Sequence, residues 1–300
     1  HNYPLWYGKG GVTTELWMKS LAWLAEKYKD DDTLLAYDLK NEPHGKGKEG
    51  DKAAKWDGST DENNWAYAAT KCADAILDVN PNALIFIEGV EQSLKGTNPG
   101  DKWGMPDTEQ LTDSPYYGAW WGGNLRGVRE FPIKPKSGTS QIVYSPHDYG
   151  PSVSDQPWFE KDFTEQTLLD DYWYDSWAYI NAEDIAPIFI GEWGGHMTGD
   201  NLKWMKLLRD YMIKHHISHT FWCLNGNSGD TGGLWKSVTF DKEEMETVVS
   251  WDEEKYKFVK EALWQTKSGK FIGLDHKVPL GKNGVSLSEF YESGEKSNLD

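Results

Sequence analysis

Short apolar runs alternate with amphipathic stretches along most of the chain. The apolar runs, each with strand character, lie near residues 34–41, 83–90, 141–148, 186–192 and 219–225. Stretches with apolar residues at helical spacing lie at 13–28, 63–79, 164–184, 201–216 and 253–264. Continuous apolar strands separated by helices predict a parallel sheet that is buried on both faces. The pattern therefore predicts an α/β protein.

Two glutamates follow apolar runs that lie far apart in the chain. Glu42 lies in the segment Asn41-Glu42-Pro43-His44, and Glu192 lies in Gly191-Glu192-Trp193-Gly194. Catalytic residues of an eight-stranded β/α barrel lie at the C-terminal ends of its strands, so two such carboxylates can meet at one mouth. Retaining glycosidases need a pair of carboxyl groups about 5 to 5.5 Å apart. The two segments therefore predict a site for glycosidic bond cleavage.

An isolated glutamate at a strand end is more often a solvated group, a cap or an ion-pair partner. Polar and aromatic residues at the ends of other apolar runs favour a catalytic role for this pair. A third apolar run ends in His147-Asp148-Tyr149, and a fourth ends in His219-Thr220-Phe221-Trp222. Four strand ends would thus place polar or aromatic side chains at one edge of the sheet.

Charge and aromatic content narrow the class of partner. With 31 basic and 48 acidic residues the net charge is −17, which argues against nucleic acid or an anionic membrane as partner. A neutral substrate is compatible with this charge, and so is plain solubility. The 17 Trp and 15 Tyr residues exceed the needs of a core, and flat rings with polar edges suit sugars. Trp173 and Trp177 have the spacing of core residues, whereas Trp120, Trp121 and Trp222 lie near glycines or strand ends.

Neither a metal site nor a cofactor is expected. The two cysteines, Cys72 and Cys223, lack the spacing of a metal site or a redox pair, and no histidine has a carboxylate at ligand spacing. The chain has neither a run of about 18 apolar residues nor a signal peptide. It begins with His1 and is expected to be a processed or truncated product.

The number of predicted strands falls short of a barrel. Closure at this scale takes eight strands, and five are predicted. A doubly wound open sheet could be built from five, but the Gly-rich phosphate turn typical of that fold is absent from the sequence. Residues 91–119 are predicted to form a long loop, of a length that is usually functional or disordered, and residues 266–300 a C-terminal tail or linker. We therefore expect a barrel of which this chain encodes about strands four to eight.

A set of motifs in order along the chain resembles glycoside hydrolase family 5, a (β/α)8 TIM barrel family that contains many secreted β-1,4-endoglucanases. The motifs are Leu5-Trp6-Tyr7, Asp38-Leu39-Lys40-Asn41-Glu42-Pro43-His44, Glu88-Gly89-Val90, Trp120-Trp121-Gly122-Gly123-Asn124-Leu125, Ser145-Pro146-His147-Asp148-Tyr149, Gly191-Glu192-Trp193-Gly194, and Trp222 followed by Ser228-Gly229-Asp230-Thr231-Gly232-Gly233. The resemblance covers nearly all of the chain before the tail. It implies a catalytic domain over 1–265 that lacks the family's first three strands, including an arginine that supports the nucleophile.

The resemblance also implies roles for single residues. Glu42 corresponds to the acid/base and Glu192 to the nucleophile. The implied substrate-binding residues are Asn41 at the sugar 2-hydroxyl, His147 and Tyr149 beside Glu192, Trp222 as the floor of the site and Trp121 in a neighbouring subsite.

These roles imply a secreted, retaining endo-β-1,4-glucanase acting on a β-glucan, without metal or cofactor. The preferred sugar is left open, since the family also holds mannanases, xylanases and mixed-linkage or xyloglucan-active enzymes, and loop 91–119 is expected to decide among them. A non-catalytic carbohydrate-binding barrel is the rival from another class. Further partners implied are a missing N-terminal fragment and an appended carbohydrate-binding module.

Overall fold

A computed structural model of the chain describes residues 3–94 and 116–300. The chain divides into two compact units, His1–Trp193 and Gly194–Asp300. Most of the predicted loop 91–119 lies outside the described residues, and its described ends, Gln92–Leu94 and Tyr116–Gly118, are paired antiparallel strands rather than loop.

The five predicted strands and the five predicted helical stretches are present, together with further strands that the sequence did not predict. The strands are β1 (Ala36–Asp38), β2 (Leu84–Ile87), β3 (Gln92–Leu94), β4 (Tyr116–Gly118), β5 (Ile142–Tyr144), β6 (Phe189–Trp193), β7 (Ser218–Phe221), β8 (Trp235–Asp241) and β9 (Glu246–Trp251). The α-helices are α1 (Thr14–Lys27), α2 (Trp65–Leu77), α3 (Glu165–Leu168), α4 (Tyr179–Ala182), α5 (Gly199–Lys214), α6 (Glu253–Lys260) and α7 (Leu287–Ser293). A π-helix, Leu169–Ala178, joins α3 to α4, and 3-10 turns lie at Lys9–Gly11, Gly47–Lys52, Arg126–Arg129 and Pro157–Phe159.

The first unit is built on a parallel sheet. Strand β1 pairs with β2, and β2 pairs with β5, all in parallel register. Single parallel bridges, Tyr144 to Ile188 and His147 to Glu192, connect β5 with the β6 segment. The C-terminal ends of all four strands therefore lie along one edge, where the predicted site residues follow. Within this unit the described strands form an open sheet rather than a closed barrel.

Helix α2 shows why the sequence folds in this way locally. The Asn64 side chain accepts a hydrogen bond from the Ala66 N–H and caps the first turn. The face of α2 that is buried consists mainly of small residues: Ala66, Ala68, Ala69, Cys72 and Ala73, with Trp65, Ile76 and Leu77 at the ends. Asn80-Pro81-Asn82 then ends the helical pattern before β2 begins.

In the second unit, β8 and β9 form an antiparallel hairpin, a pair that the sequence did not predict. Residues 266–300, predicted to be a tail or linker, contain α7, which begins at a capping box between Ser286 and Glu289. The placement of this segment outside the catalytic domain stays a prediction. No helix in residues 3–94 and 116–300 has both the length and the apolar character needed to span a bilayer.

Candidate active site

Glu42 follows β1 in an unusual backbone conformation. Its φ angle is +52°, in the left-handed region that residues other than glycine seldom adopt. The Glu42 N–H donates to Glu88 Oε2 at 2.8 Å, and the Glu42 carbonyl lies 2.6 Å from His44 Nδ1. Both polar atoms of this residue's backbone are therefore held by side chains, one from the β2 segment and one from the turn that follows Glu42.

His147 connects the two glutamates singled out by the sequence. This histidine follows β5 and is almost fully buried, with 2% of its surface exposed. Its Nδ1 atom lies 3.0 Å from Glu42 Oε1 and 3.5 Å from Glu192 Oε2. On the other side of the ring, Nε2 lies 3.4 Å from Glu88 Oε1. The imidazole thus contacts three carboxyl groups that lie in or after three different strands.

Glu192 lies within β6, and the sheet fixes its backbone. Its carbonyl accepts a hydrogen bond from the Asp148 N–H at 3.0 Å. The carboxylate accepts a hydrogen bond from the hydroxyl of Tyr149, a buried residue. Glu42 and Glu192 each keep 16% of their side-chain surface exposed, so both carboxyl groups stay accessible to a ligand.

The separation of the two carboxyl groups bears on the reaction. One oxygen of Glu42, one of Glu192 and a nitrogen of His147 all lie within 4.8 Å of one another. Inverting glycosidases hold their carboxyl groups roughly 6.5 to 9.5 Å apart to admit a water, and retaining enzymes hold them about 5 to 5.5 Å apart. The upper limit of 4.8 Å on this pair of oxygens lies below the inverting range and favours the shorter, retaining separation.

The same donor atoms could in principle hold a cation. The set Glu42, His147 and Glu192, and the set Asp38, Glu88 and His147, each bring three ligand atoms within 4.8 Å. The sequence does not show either set as a metal-binding motif, because the members of each set come from different strands. The expectation that no metal takes part stays a prediction.

Burial and charge act in opposite directions on the pKa values of these groups. Burial raises the pKa of Glu192, while His147 and the Tyr149 hydroxyl lower it, and the net direction is upward. For His147, burial lowers the pKa, but the hydrogen bond with Glu42 and the charge of Glu192 more than offset it, and the pKa is raised. A histidine that favours its charged form beside Glu192 helps keep that carboxylate ionised.

The remaining predicted site residues take different positions. Asn41 is exposed directly before Glu42, and its backbone carbonyl accepts a hydrogen bond from the Lys40 ammonium. The Trp121 indole stacks on the His44 ring with 3.9 Å between centroids and 8° between planes, so one of its two faces is covered. Trp222, in the second unit, is 44% exposed. The substrate-binding roles of these three residues stay predictions.

Three residues that were assigned no role belong to this cluster: Asp38, His44 and Glu88. Glu88 ends the apolar run at β2 as Glu192 ends the run at β6, so the same pattern could have revealed it. Burial and then the neighbouring Asp38 carboxyl raise the pKa of Glu88 well above its usual value. The contact from His44 to the backbone at Glu42 depends on the turn after Glu42 and has no signal in the sequence pattern.

The chain is similar to known cellulases. The family model described as "Cellulase (glycosyl hydrolase family 5)" matches residues 1–228. Endoglucanase G of Acetivibrio thermocellus is 60% identical over 99% of this chain and 53% of its own length. The "Major extracellular endoglucanase" of Xanthomonas campestris is 32% identical over 79% of this chain and 45% of its own length. The chain thus spans about half the length of the curated relatives it matches.

A solved structure supports the same relationship. The endocellulase of Pyrococcus horikoshii in complex with cellotetraose superposes with a TM-score of 0.70 and 31% identity, covering 87% of this chain and 66% of that one. Because the family model covers more than half of the sequence and its motifs meet at one sheet edge, this chain belongs to glycosyl hydrolase family 5.

Proposed function

We propose that this chain carries the catalytic centre of a retaining endo-β-1,4-glucanase. The observation that carries the proposal is the cluster of Glu42, His147 and Glu192, whose reactive atoms lie within 4.8 Å at the C-terminal ends of parallel strands. The relatives named as endoglucanases and the cellotetraose complex of the Pyrococcus enzyme support a β-1,4-glucan as substrate.

The reaction proceeds by two displacements at the anomeric carbon. In the first, the Glu192 carboxylate attacks this carbon, the glycosidic C–O bond breaks, and Glu42 gives its proton to the departing oxygen. In the second, ionised Glu42 takes a proton from water, the hydroxide oxygen bonds to the carbon, and Glu192 leaves as a carboxylate. Tyr149 donates a hydrogen bond to Glu192, which favours the ionised form that the first step requires.

We also propose the barrel context that the family implies. The parallel strands β1, β2, β5 and β6, together with β7, would be strands four to eight of an eight-stranded barrel. The partial coverage of the Pyrococcus chain, 66%, supports this view. Strands from a preceding segment and an appended carbohydrate-binding module are further partners in the proposal. Secretion is proposed by similarity to the relative named as extracellular.

Comparing substrates with the full-length protein tests the function. Soluble cellulose, mannan, xylan, mixed-linkage glucan and xyloglucan are each supplied, and both viscosity and reducing ends are followed. An endo-acting glucanase lowers the viscosity of soluble cellulose early, when few reducing ends have formed. Faster hydrolysis of mannan or xylan would replace this proposal with another family activity. Binding of glucan without any hydrolysis would favour the non-catalytic alternative.

A further inference from the structure

Glu88 is a buried carboxyl group that the double displacement does not use. Its side chain is 1% exposed, and the Trp65 indole donates to its backbone carbonyl at 2.8 Å. Gly122, with a φ of +72°, lies so close that an added Cβ would be 2.2 Å from Glu88 Oε2. Because Gly122 has no side chain, the Glu88 carboxyl group fits against its backbone, and any larger residue at 122 would clash with Glu88.

The Glu88 carboxyl group contacts the strained backbone of Glu42. A residue other than glycine in a sparsely populated backbone region is strained and persists only when its surroundings enforce that conformation. Here the Glu42 N–H donates to Glu88 Oε2 at 2.8 Å. A buried N–H without an acceptor would add a further penalty, so Glu88 makes this conformation tenable.

The second oxygen of Glu88 lies beside the histidine that contacts the same glutamate. Glu88 Oε1 lies 3.4 Å from His147 Nε2, and the Asp38 carboxyl group belongs to the same cluster. The opposite nitrogen of this ring lies 3.0 Å from Glu42 Oε1. Glu88 therefore contacts the Glu42 backbone directly and is linked to the Glu42 carboxyl group through the His147 ring.

We propose that Glu88 is a positioning residue for general acid catalysis: it fixes the Glu42 backbone through the N–H and orients His147, so that the Glu42 carboxyl group faces the departing oxygen. Glu88 itself does not touch the reacting atoms. The proposal rests on the proposed glycosidase function. It adds a residue that positions the proton donor, Glu42, and does not act on the nucleophile, Glu192.

Leaving-group dependence separates this role from a general loss of structure. A 2,4-dinitrophenolate departs from a β-cellobioside without a proton, whereas an unsubstituted phenol needs the acid. The value of kcat/KM reports the first displacement only, so it is measured for a series of aryl β-cellobiosides with wild-type protein, Glu88→Ala and Glu88→Gln. The full-length protein is used throughout.

For Glu88→Ala we expect kcat/KM to fall by about 10²-fold or more on the phenyl substrate, within the range that general acid catalysis contributes. On the dinitrophenyl substrate the loss should be less than about 10-fold, below the low end of that range. Glu88→Gln keeps an oxygen that can accept the Glu42 N–H and should restore most of the phenyl activity. Glu88→Met, which is of similar volume and has no oxygen, carries the same test where Glu88→Ala is too unstable to purify.

Asp175 supplies the matched control. It is a buried carboxylate of the same unit whose Oδ2 lies 3.4 Å from Arg126 Nη1. Asp175→Asn should lower stability while leaving the ratio of the phenyl to the dinitrophenyl rate as in the wild type. An equal loss on all leaving groups in Glu88→Ala, or no loss at all, overturns the role of Glu88 alone. A wild-type protein that cleaves none of the cellobiosides overturns the proposed function and this role with it.

Discussion

The two carboxyl groups at the sheet edge share His147 but differ in their other contacts. Glu42 has a left-handed backbone whose N–H and carbonyl are bound by the side chains of Glu88 and His44. Glu192 lies in a regular strand, and its carboxylate is bound by Tyr149. His147 Nδ1 also lies 3.0 Å from Glu42 Oε1, so the contrast lies in the backbone and in the tyrosine: side chains position the Glu42 backbone, whereas the Tyr149 hydroxyl directly favours the ionised form of Glu192. The structural difference thus matches the proposed difference in roles.

Removing the charge of Glu192 should have the largest effect. Glu192→Gln keeps the shape of the side chain but cannot attack the anomeric carbon. Loss of the nucleophile should cost more than loss of a general acid or base, so kcat/KM on soluble cellulose should fall by more than about 10⁴-fold. Cellotetraose binding, measured by calorimetry, should stay within about 10-fold of the wild type, which is 1.4 kcal/mol. Near-normal turnover of this variant would remove Glu192 from the role of nucleophile.

Tyr149→Phe tests whether the side-chain contact on Glu192 matters for its charge. A hydrogen bond to a charged group contributes about 1.5 to 3 kcal/mol, which corresponds to roughly 10- to 100-fold in kcat/KM. The hydroxyl lowers the pKa of Glu192, so its removal should raise that pKa further. Because the enzyme requires ionised Glu192, the acid limb of the pH profile should move to higher pH. An unshifted limb would show that Tyr149 does not stabilise the charged form.

Trp121→Ala should have a smaller effect on catalysis. It tests the surroundings of Glu42, because Trp121 stacks on His44, which contacts the Glu42 carbonyl. An aromatic contact beyond simple burial contributes about 0.5 to 1.5 kcal/mol, so KM for soluble cellulose should rise by roughly 2- to 10-fold. Trp121→Tyr, which keeps a flat ring against His44, is the control and should restore most of the affinity. Unchanged hydrolysis by Trp121→Ala would contradict the predicted sugar subsite.

Asp148→Asn should affect stability and leave the proposed chemistry nearly intact. Asp148 is fully buried, its Oδ2 accepts a hydrogen bond from Trp177 Nε1 at 3.0 Å, and burial raises its pKa well above the usual value. The folded state therefore binds this proton more tightly than the unfolded state. The contribution to stability is present at low pH and is lost as the pH rises through the folded pKa.

Urea unfolding of wild type and Asp148→Asn at a series of pH values measures this contribution. The wild-type free energy of unfolding should decline relative to that of the variant as the pH rises. Parallel curves for the two proteins would show that Asp148 binds its proton equally in the folded and unfolded states.

The sequence predicted most of the helices and strands, but few of the contacts between distant segments. Apolar periodicity located β1, β2, β5, β6 and β7, because each lies within or beside a short run of apolar residues. The hairpin of β8 and β9 was missed because its outer positions, such as Phe240 at 55% exposure, lack a clean alternation of apolar and polar residues. Motifs singled out Glu42, His147, Tyr149 and Glu192, which lie near the C-terminal ends of β1, β5 and β6, and their roles stay predictions.

The remaining site contacts depend on turns that side chains hold. The left-handed backbone at Glu42 arises from contacts with Glu88 and His44, and no local propensity of the Asn41-Glu42-Pro43 segment signals it. The stacking of Trp121 on His44 likewise joins residues from distant segments. Such features follow from packing between segments, which periodicity along one segment does not record.

The assignment of opposite roles to the two glutamates is tested most directly by azide rescue with 2,4-dinitrophenyl β-cellobioside. In Glu42→Ala, azide should react with the glycosyl-enzyme formed on Glu192 and give β-cellobiosyl azide, since two displacements retain configuration. In Glu192→Gly, azide should attack directly in place of the missing carboxylate and give α-cellobiosyl azide. The anomeric proton coupling in the NMR spectrum of each product distinguishes the two. An α-azide from Glu42→Ala, or a β-azide from Glu192→Gly, would contradict the account.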